Sequence, residues 1–189
     1  MTRHDLFPSP LWHIKGAPLQ LIDELYQGAY TVKKKYTSKT YSNQGGYQSP
    51  NIAWEDFHPE GIKYVNTTLS NIFKDIKVQG WWFNINSQGH WNIPHTHPGS
   101  DLALVLYLTD SDGLLQLVNP HSHRLVNESR YSTDKDSDGH WSCNFSDVGM
   151  KANKGDIVIF PSDLVHYVMP NPREEDRISV SMNLQLCGN

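Results

Sequence analysis

The chain has 189 residues, and its six Trp, nine Tyr and six Phe suffice for one well-packed domain although only 38% of its residues are hydrophobic. A formal net charge of −4 gives no positive field for a phosphate backbone and argues against nucleic acid as a partner. The two cysteines, Cys143 and Cys187, form no CxxC pair, which argues against a zinc–thiolate site and against a disulfide framework.

The N-terminus, "MTRHDLFPSPLWHIK", carries prolines and charges where a signal peptide has an apolar core. The longest strongly apolar run, residues 102–108, is far shorter than a membrane span. We therefore expect a cytoplasmic protein without a membrane segment.

Two helices are predicted first along the chain. Residues 17–36 form an amphipathic pattern whose apolar face carries Leu19, Ile22, Leu25 and Tyr26. A second helix is predicted from Pro59 to about Ile76, because proline suits the first helical turn and apolar residues then recur at helical spacing. Between the two helices, "SNQGGYQSPN" at 42–51 has the composition of a loop.

After Lys77 the apolar period becomes that of β-strands, which we predict at 78–86, 102–109, 114–120, 153–162, 163–170 and 176–186. Residues 102–109 are apolar on both faces and predict a central strand. Residues 176–186 alternate apolar and polar, which predicts a half-buried strand with one face against a wet space. Two helices and about seven strands indicate a double-sheet antiparallel barrel with the helices packed on one sheet.

We expect a single domain over residues 1–189, with a helical part at about 17–77 and a β core at about 78–186. Residues 119–142 form a long polar excursion from this core, of the kind that serves as a lid or a binding loop.

Two histidines stand one residue apart in "PHTHPGS", residues 94–100. Residues at i and i+2 of an extended segment point to the same side, so His95 and His97 can face one metal ion together. In "FPSDLVHYVMP" His166 follows a predicted buried strand, which is the rigid support that a third ligand needs. Three ordinary histidines are the alternative interpretation, because an HxH pair is common without a metal.

Arg177 and Ser179 share the polar face of the last predicted strand, "RISVSMN". Burying an arginine without an anion is costly, and its forked guanidinium matches a carboxylate through two parallel hydrogen bonds, to which Ser179 could add a third. The alternative is a surface arginine paired with Asp176 or Glu175.

The order of an HxH pair, a buried strand ending in "YL", "GDIVIFPSDLVH" and "RIS" resembles the Fe(II)/2-oxoglutarate-dependent oxygenases, and more closely their small bacterial and phage subgroup with an "HxHPGS" segment. The resemblance covers residues 80–186 and extends to "LFPSPLW", which looks like the subgroup's first strand. It implies a double-stranded β-helix, a jelly roll related to the cupins. It also implies a hydroxylase that uses Fe(II), O₂ and 2-oxoglutarate and releases succinate and CO₂.

For the iron, the resemblance assigns His95 to the first ligand and His166 to the distal histidine. The family's usual carboxylate ligand lies two residues after the first histidine, where this chain has His97. Either His97 completes a three-histidine site, or Asp101 swings in from four residues further on. The i, i+2 geometry favours His97, which leaves the iron complex one charge more positive.

For the cosubstrate, the resemblance assigns Arg177, with Ser179 beside it, to the distal carboxylate of 2-oxoglutarate. Tyr107, on the strand after the ligand segment, is placed to donate its hydroxyl to the same carboxylate. Asn84 and Asn183 are weaker candidates for the proximal end.

Two other functions stay open at this point. A cupin-type metal enzyme that does not use 2-oxoglutarate would have no anion at Arg177. A non-catalytic jelly-roll protein that binds a ligand would have structural histidines and no metal. The sequence identifies neither the prime substrate, a small molecule or a peptide, nor the oligomeric state.

Two further motifs lie in the polar excursion. His121 and His123 form a second HxH pair without a rigid partner in view, so contact with substrate is their alternative role. "DKDSDG" at 134–139 opens like a calcium loop, but position twelve is Phe145 rather than Glu, which favours a solvated turn.

Overall fold

The computed structural model describes residues 9–53, 58–112, 114–120 and 147–187, and within these ranges the protein is mainly β with two helices. The helices are α1 (Leu19–Lys35) and α2 (Pro59–Ser70). The strands are β1 (Trp12–Ile14), β2 (Asn43–Gln44), β3 (Tyr47–Gln48), β4 (Ile76–Asn86), β5 (Trp91–His95), β6 (Leu102–Tyr107), β7 (Leu115–Val118), β8 (Asp147–Met150), β9 (Ile157–Pro161), β10 (His166–Val168) and β11 (Arg177–Leu186).

The strands form two antiparallel sheets. The major sheet has the order β1-β9-β6-β11-β4-β3, and the minor sheet has the order β2-β5-β10-β7-β8. β6 lies between β9 and β11 and is buried along its whole length, which confirms the prediction of a central strand. Among the helices in the described ranges, none has the length and apolarity needed to cross a membrane.

The major sheet separates two hydrophobic cores, because successive residues of a strand point to opposite faces. One face of β6, with Leu104 and Leu106, packs against α1 and α2 together with the apolar side of β11. The other face, with Val105 and Tyr107, packs toward Leu117 of the minor sheet. The helices therefore cover one sheet, as predicted, and the two sheets face each other across the second core.

The second helix is shorter than predicted, since α2 ends at Ser70 and not near Ile76. Ile76 instead pairs with Leu186 as the first residue of β4. Ile72, Phe73 and Ile76 still pack against the core on the helix side. The apolar spacing that predicted a longer helix therefore reflects burial on that core and not helical backbone.

The prediction of a loop at 42–51 was wrong in part, because this segment contains β2 and β3. β2 pairs with β5 in the minor sheet, and β3 pairs with β4 in the major sheet, so the segment links the two sheets. Asn43 Nδ2 donates to the Gly46 carbonyl at 2.7 Å across the turn. Strands of two residues around two glycines are too short to give an alternating pattern.

The last strand, β11, is more buried than the predicted half-buried strand, with polar Ser179 and Ser181 exposed by only 2% and 8%. Its polar face lines a cavity, and its apolar face packs under the helices. The predicted lid or binding loop at 119–142 lies outside the described residues apart from its first two.

We expect Gly45→Ala to lower the free energy of unfolding by about 2 kcal/mol or more. Gly45 has a φ of +76°, and a Cβ placed there would lie 2.6 Å from Cδ2 of His90. Gly28→Ala is the matched control: no heavy atom lies within 4 Å of its added Cβ, so in α1 it should raise stability by about 0.5–1 kcal/mol. Urea titration of both variants measures the difference, and equal stabilities would contradict the strained turn.

Candidate metal centre and anion pocket

Three histidines converge where the minor sheet meets the interior. His95 ends β5 and lies directly opposite His166, the first residue of β10, in the antiparallel pairing of these strands. His97 follows two residues after His95, on the same side of the extended chain. One nitrogen of each ring lies within 4.8 Å of the others, so the three imidazoles could hold one metal ion.

The outer nitrogens of these rings are already hydrogen-bonded. Nδ1 of His95 lies 2.7 Å from the Ile93 carbonyl, and Nδ1 of His166 lies 2.8 Å from the Leu164 carbonyl. A carbonyl oxygen only accepts, so both Nδ1 atoms carry the proton and both Nε2 atoms keep a lone pair. Such contacts to the second nitrogen are the usual support of a histidine that binds metal.

The three imidazoles are neutral at physiological pH. Burial, together with the smaller effect of the neighbouring His95, lowers the pKa of His166 to about 3. Burial also lowers the pKa of His95 and of His97. Neutral rings are what a metal requires of histidine, because a protonated ring has no lone pair to donate.

Aromatic side chains pack against two of the three imidazole rings. Trp82 packs on His97 at 5.6 Å between ring centres, and Phe160 meets His166 edge-on at 4.8 Å. Two neighbouring tryptophans lie elsewhere, since Trp81 is in the core on the helix side and Trp91 is exposed on β5.

Asp101, the alternative third ligand, is not part of this cluster. Its side-chain Oδ2 accepts a hydrogen bond from the Leu186 backbone N–H at 2.8 Å, and its own N–H donates to the Leu184 carbonyl. The residue is exposed beside the end of β11. The structure therefore brings His97, and not Asp101, next to His95 and His166.

A cavity of about 530 Å³ opens between the two sheets beside the histidines. The polar face of β11 contributes Arg177, Ser179, Ser181 and Asn183 to its wall. The remaining wall is rich in uncharged polar side chains, which include Ser42, Gln48, Ser49, Asn51, Asn84 and Asn92. The candidate metal ligands and the arginine thus line one and the same space.

Arg177 is buried, with 5% of its surface exposed, and it is one of the residues that line this cavity. Its guanidinium carbon lies 5.7 Å from the centre of the Tyr107 ring. Within the described ranges no acidic side chain forms a salt bridge with it, and its Nε has no hydrogen-bond partner. The alternative partner Asp176 accepts from Tyr30 and Ser87 instead, at 2.7 and 2.6 Å.

The hydroxyls of Tyr107 and Ser111 are buried beside each other, and that of Tyr107 also lies within reach of the guanidinium. Burial lowers the pKa of Arg177, but a guanidinium stays charged at neutral pH. A buried positive charge without an acidic partner is unfavourable unless a bound anion neutralises it. The donor set therefore fits the carboxylate end of a bound molecule.

The other predicted cosubstrate residues have different places. Ser179 is buried and lines the cavity, whereas Tyr107, which pairs in register with Ser179 across β6 and β11, is fully buried and is not one of the lining residues. Asn84 donates to Ser181 at 2.9 Å. Asn183 accepts from His97 at 2.6 Å, a contact that the sequence did not reveal because the two residues are 86 positions apart.

The residues of the second HxH pair, His121 and His123, and the segment 134–139 lie outside the described residues. The predicted roles of substrate contact and solvated turn stay predictions for them. Ser111 is a further buried donor that the sequence did not single out, since it stands in a turn without a motif around it.

A comparison with protein families finds one whose model, described as "Putative 2OG-Fe(II) oxygenase", matches residues 80–183. The match covers more than half of the chain and includes every candidate ligand of the metal and of the anion. No curated protein sequence matches the chain significantly.

Solved structures share the fold at low identity. HygX from Streptomyces hygroscopicus, with nickel and 2-oxoglutarate bound, is 11% identical over 94% of this chain and 83% of its own, with a TM-score of 0.65. The epimerase SnoN, in complex with Fe³⁺, alpha ketoglutarate and nogalamycin RO, is 15% identical over 94% and 79%, with a TM-score of 0.64. A Pseudomonas putida prolyl-4-hydroxylase is 15% identical over 94% and 93%, with a TM-score of 0.54.

Proposed function

The chain belongs to the 2OG-Fe(II) oxygenase family, and on that premise we propose that His95, His97 and His166 hold the Fe(II) ion and that Arg177 binds the distal carboxylate of 2-oxoglutarate. The observation that carries the proposal is the buried guanidinium without an acidic partner in the described part of the chain. It lines the same cavity as the three imidazoles. A metal enzyme without 2-oxoglutarate would leave that charge uncompensated.

When bound, the Fe(II) ion supplies the activation of O₂ by which 2-oxoglutarate becomes succinate and CO₂ and a C–H bond of the substrate becomes C–OH. The side chains of this protein bind 2-oxoglutarate and orient it. Arg177 offers two parallel hydrogen bonds to the far carboxylate and Ser179 adds a hydroxyl, while Tyr107, whose ring lies beside the guanidinium, is the third donor that we propose. When its far carboxylate is held in this way, 2-oxoglutarate points its keto acid end toward the histidines.

The third ligand in this proposal is His97, where the family pattern commonly has a carboxylate. Three neutral imidazoles give the site one negative charge fewer than two histidines and an acid would give. The hydrogen bonds at Nδ1 of all three rings support this assignment, because each leaves Nε2 as the atom available for a metal.

Asp101→Asn is expected to leave the affinity for Ni²⁺ within about twofold of the wild type. An asparagine oxygen can still accept from the Leu186 N–H, so the end of β11 keeps its hydrogen bond. Isothermal calorimetry on the metal-free protein measures the affinity. A loss of tenfold or more would instead identify Asp101 as a ligand.

The class of substrate and the fold are proposed from the family match, the cavity wall and the two sheets. Membership of the family implies O₂ and a small-molecule substrate, and the uncharged polar wall at Gln48, Asn51 and Asn92 is suited to groups that form hydrogen bonds. The two facing antiparallel sheets support a double-stranded β-helix of the jelly-roll class in a single domain. A cytoplasmic location stays a prediction from the sequence.

The test of the proposed function is succinate release from 2-oxoglutarate with Fe(II) and ascorbate, measured without a prime substrate as uncoupled turnover. We expect release from the wild type and none after Arg177→Ala. Metal binding without succinate release would favour the cupin-type alternative. A protein that binds no metal at all would favour the non-catalytic ligand-binding alternative.

A further inference from the structure

We propose that Asn183 is a positioning residue, which fixes the tautomer of His97 so that Nε2 of this ring keeps its lone pair for the metal. The inference rests on the proposed function, because it concerns the third ligand of the same site. His97 follows β5 of the minor sheet and Asn183 lies on β11 of the major sheet. Their 2.6 Å contact therefore ties the metal ligand to the opposite sheet.

His97 differs from the other two histidines in the nature of its partner. His95 and His166 each face a backbone carbonyl, which accepts only, so their tautomers are fixed by the fold. A side-chain amide offers an acceptor, Oδ1, and a donor, Nδ2. The orientation of the Asn183 amide therefore decides which nitrogen of His97 carries the proton.

In the structure the acceptor Oδ1 of Asn183 faces Nδ1 of His97. Nδ1 then carries the proton, and Nε2 has a lone pair like those of the other two rings. With the amide reversed, Nδ2 would donate to Nδ1, the proton would sit on Nε2, and His97 would be unable to bind a metal.

The other contacts of His97 hold the ring without choosing its tautomer. The ring packs on Trp82 at 5.6 Å and stacks on His95 at 5.3 Å, and the backbone N–H donates to the Ser162 carbonyl. These contacts fix the plane and the place of the ring. Among the hydrogen bonds of the described residues, the one that involves a ring nitrogen of His97 is its bond to the Asn183 Oδ1.

The decisive experiment is long-range ¹H–¹⁵N NMR of the metal-free protein at pH 8, which identifies the protonated ring nitrogen directly. We expect Nδ1–H at His97 in the wild type and in Asn183→Asp, whose carboxylate still accepts. Asn183→Leu removes the acceptor at similar size, so the tautomer should shift toward Nε2–H. This readout needs neither metal nor turnover.

Calorimetry with Ni²⁺ gives the second readout. We expect Asn183→Leu to weaken Ni²⁺ binding by about 10- to 100-fold, as found for lost partners of metal-bound histidines, and Asn183→Asp to bind at least as tightly as the wild type. Gln185→Leu is the matched control: Gln185 is an exposed amide two residues later on β11, and it accepts a hydrogen bond from Gln79 Nε2 at 3.1 Å rather than from a histidine. It should change neither the tautomer nor the affinity.

Nε2–H at His97 in the wild type would overturn the inference, and so would an Asn183→Leu variant with unchanged tautomer and unchanged affinity. If Asn183→Leu fails to fold, the wild-type spectrum and Asn183→Asp still decide. Nδ1–H in a protein that binds no Ni²⁺ would support the contact and overturn the proposed function. Turnover by a wild type with Nε2–H would overturn the inference alone.

Discussion

Replacing His166 by alanine is expected to abolish succinate release and to weaken Ni²⁺ binding by more than about 100-fold. His166 would supply one of three donors, and a third of a binding free energy of about 10 kcal/mol is about 3 kcal/mol. His166 is 4% exposed and packs on Phe160, and without it the described cluster retains two of its three donors, His95 and His97. His97→Ala should have an effect of the same size, since it removes an equivalent donor.

His58→Ala is the matched control for these variants. His58 lies at the start of α2, away from the cluster, and pairs with Glu24 at the surface at 3.0 Å. Exposed pairs contribute little to stability, so this variant should fold, bind Ni²⁺ and release succinate like the wild type. Wild-type Ni²⁺ affinity in His166→Ala would show that the metal lies elsewhere.

Arg177→Met is expected to raise the KM for 2-oxoglutarate by about 100-fold or more while leaving the unliganded protein at least as stable as the wild type. The first effect follows from losing two charge-assisted hydrogen bonds, worth about 1.5–3 kcal/mol each. The second follows because the free protein buries this charge without an acidic partner among the described residues, and an apolar side chain of similar length removes that cost.

The two effects are measured separately, by steady-state kinetics and by thermal unfolding with and without 2-oxoglutarate. The wild type should gain melting temperature on adding 2-oxoglutarate, and Arg177→Met should not. Arg173→Met is the control, since Arg173 is exposed and pairs with Asp112. Strong destabilisation of the unliganded Arg177→Met protein would mean that the guanidinium has its partner within the protein.

Much of the site could be predicted because its signals are local. The i, i+2 spacing places His95 and His97 on one side of an extended chain whatever the rest of the fold does. Alternate residues of a β-strand point to the same face, so Arg177 could likewise be predicted to share the inward face with Ser179. The central place of β6 follows from six consecutive apolar residues.

The rest depends on how distant strands align. The bond between Asn183 and His97 requires a register that pairs Asn183 with Gly80 and Ala103, and nothing near either residue encodes it. The end of α2 could not be predicted from its apolar spacing, because Ile76 belongs to β4, where it pairs with Leu186 of β11. Likewise, choosing between His97 and Asp101 needs the hydrogen bond that ties Asp101 to the end of β11.

A crystal structure of the protein soaked anaerobically with Fe(II) and 2-oxoglutarate tests the proposed site most directly. We expect one metal ion bound by His95, His97 and His166, with the far carboxylate of 2-oxoglutarate on the Arg177 guanidinium. A metal ion bound by Asp101 in place of His97, or a 2-oxoglutarate molecule whose carboxylates both lie away from Arg177, would contradict it.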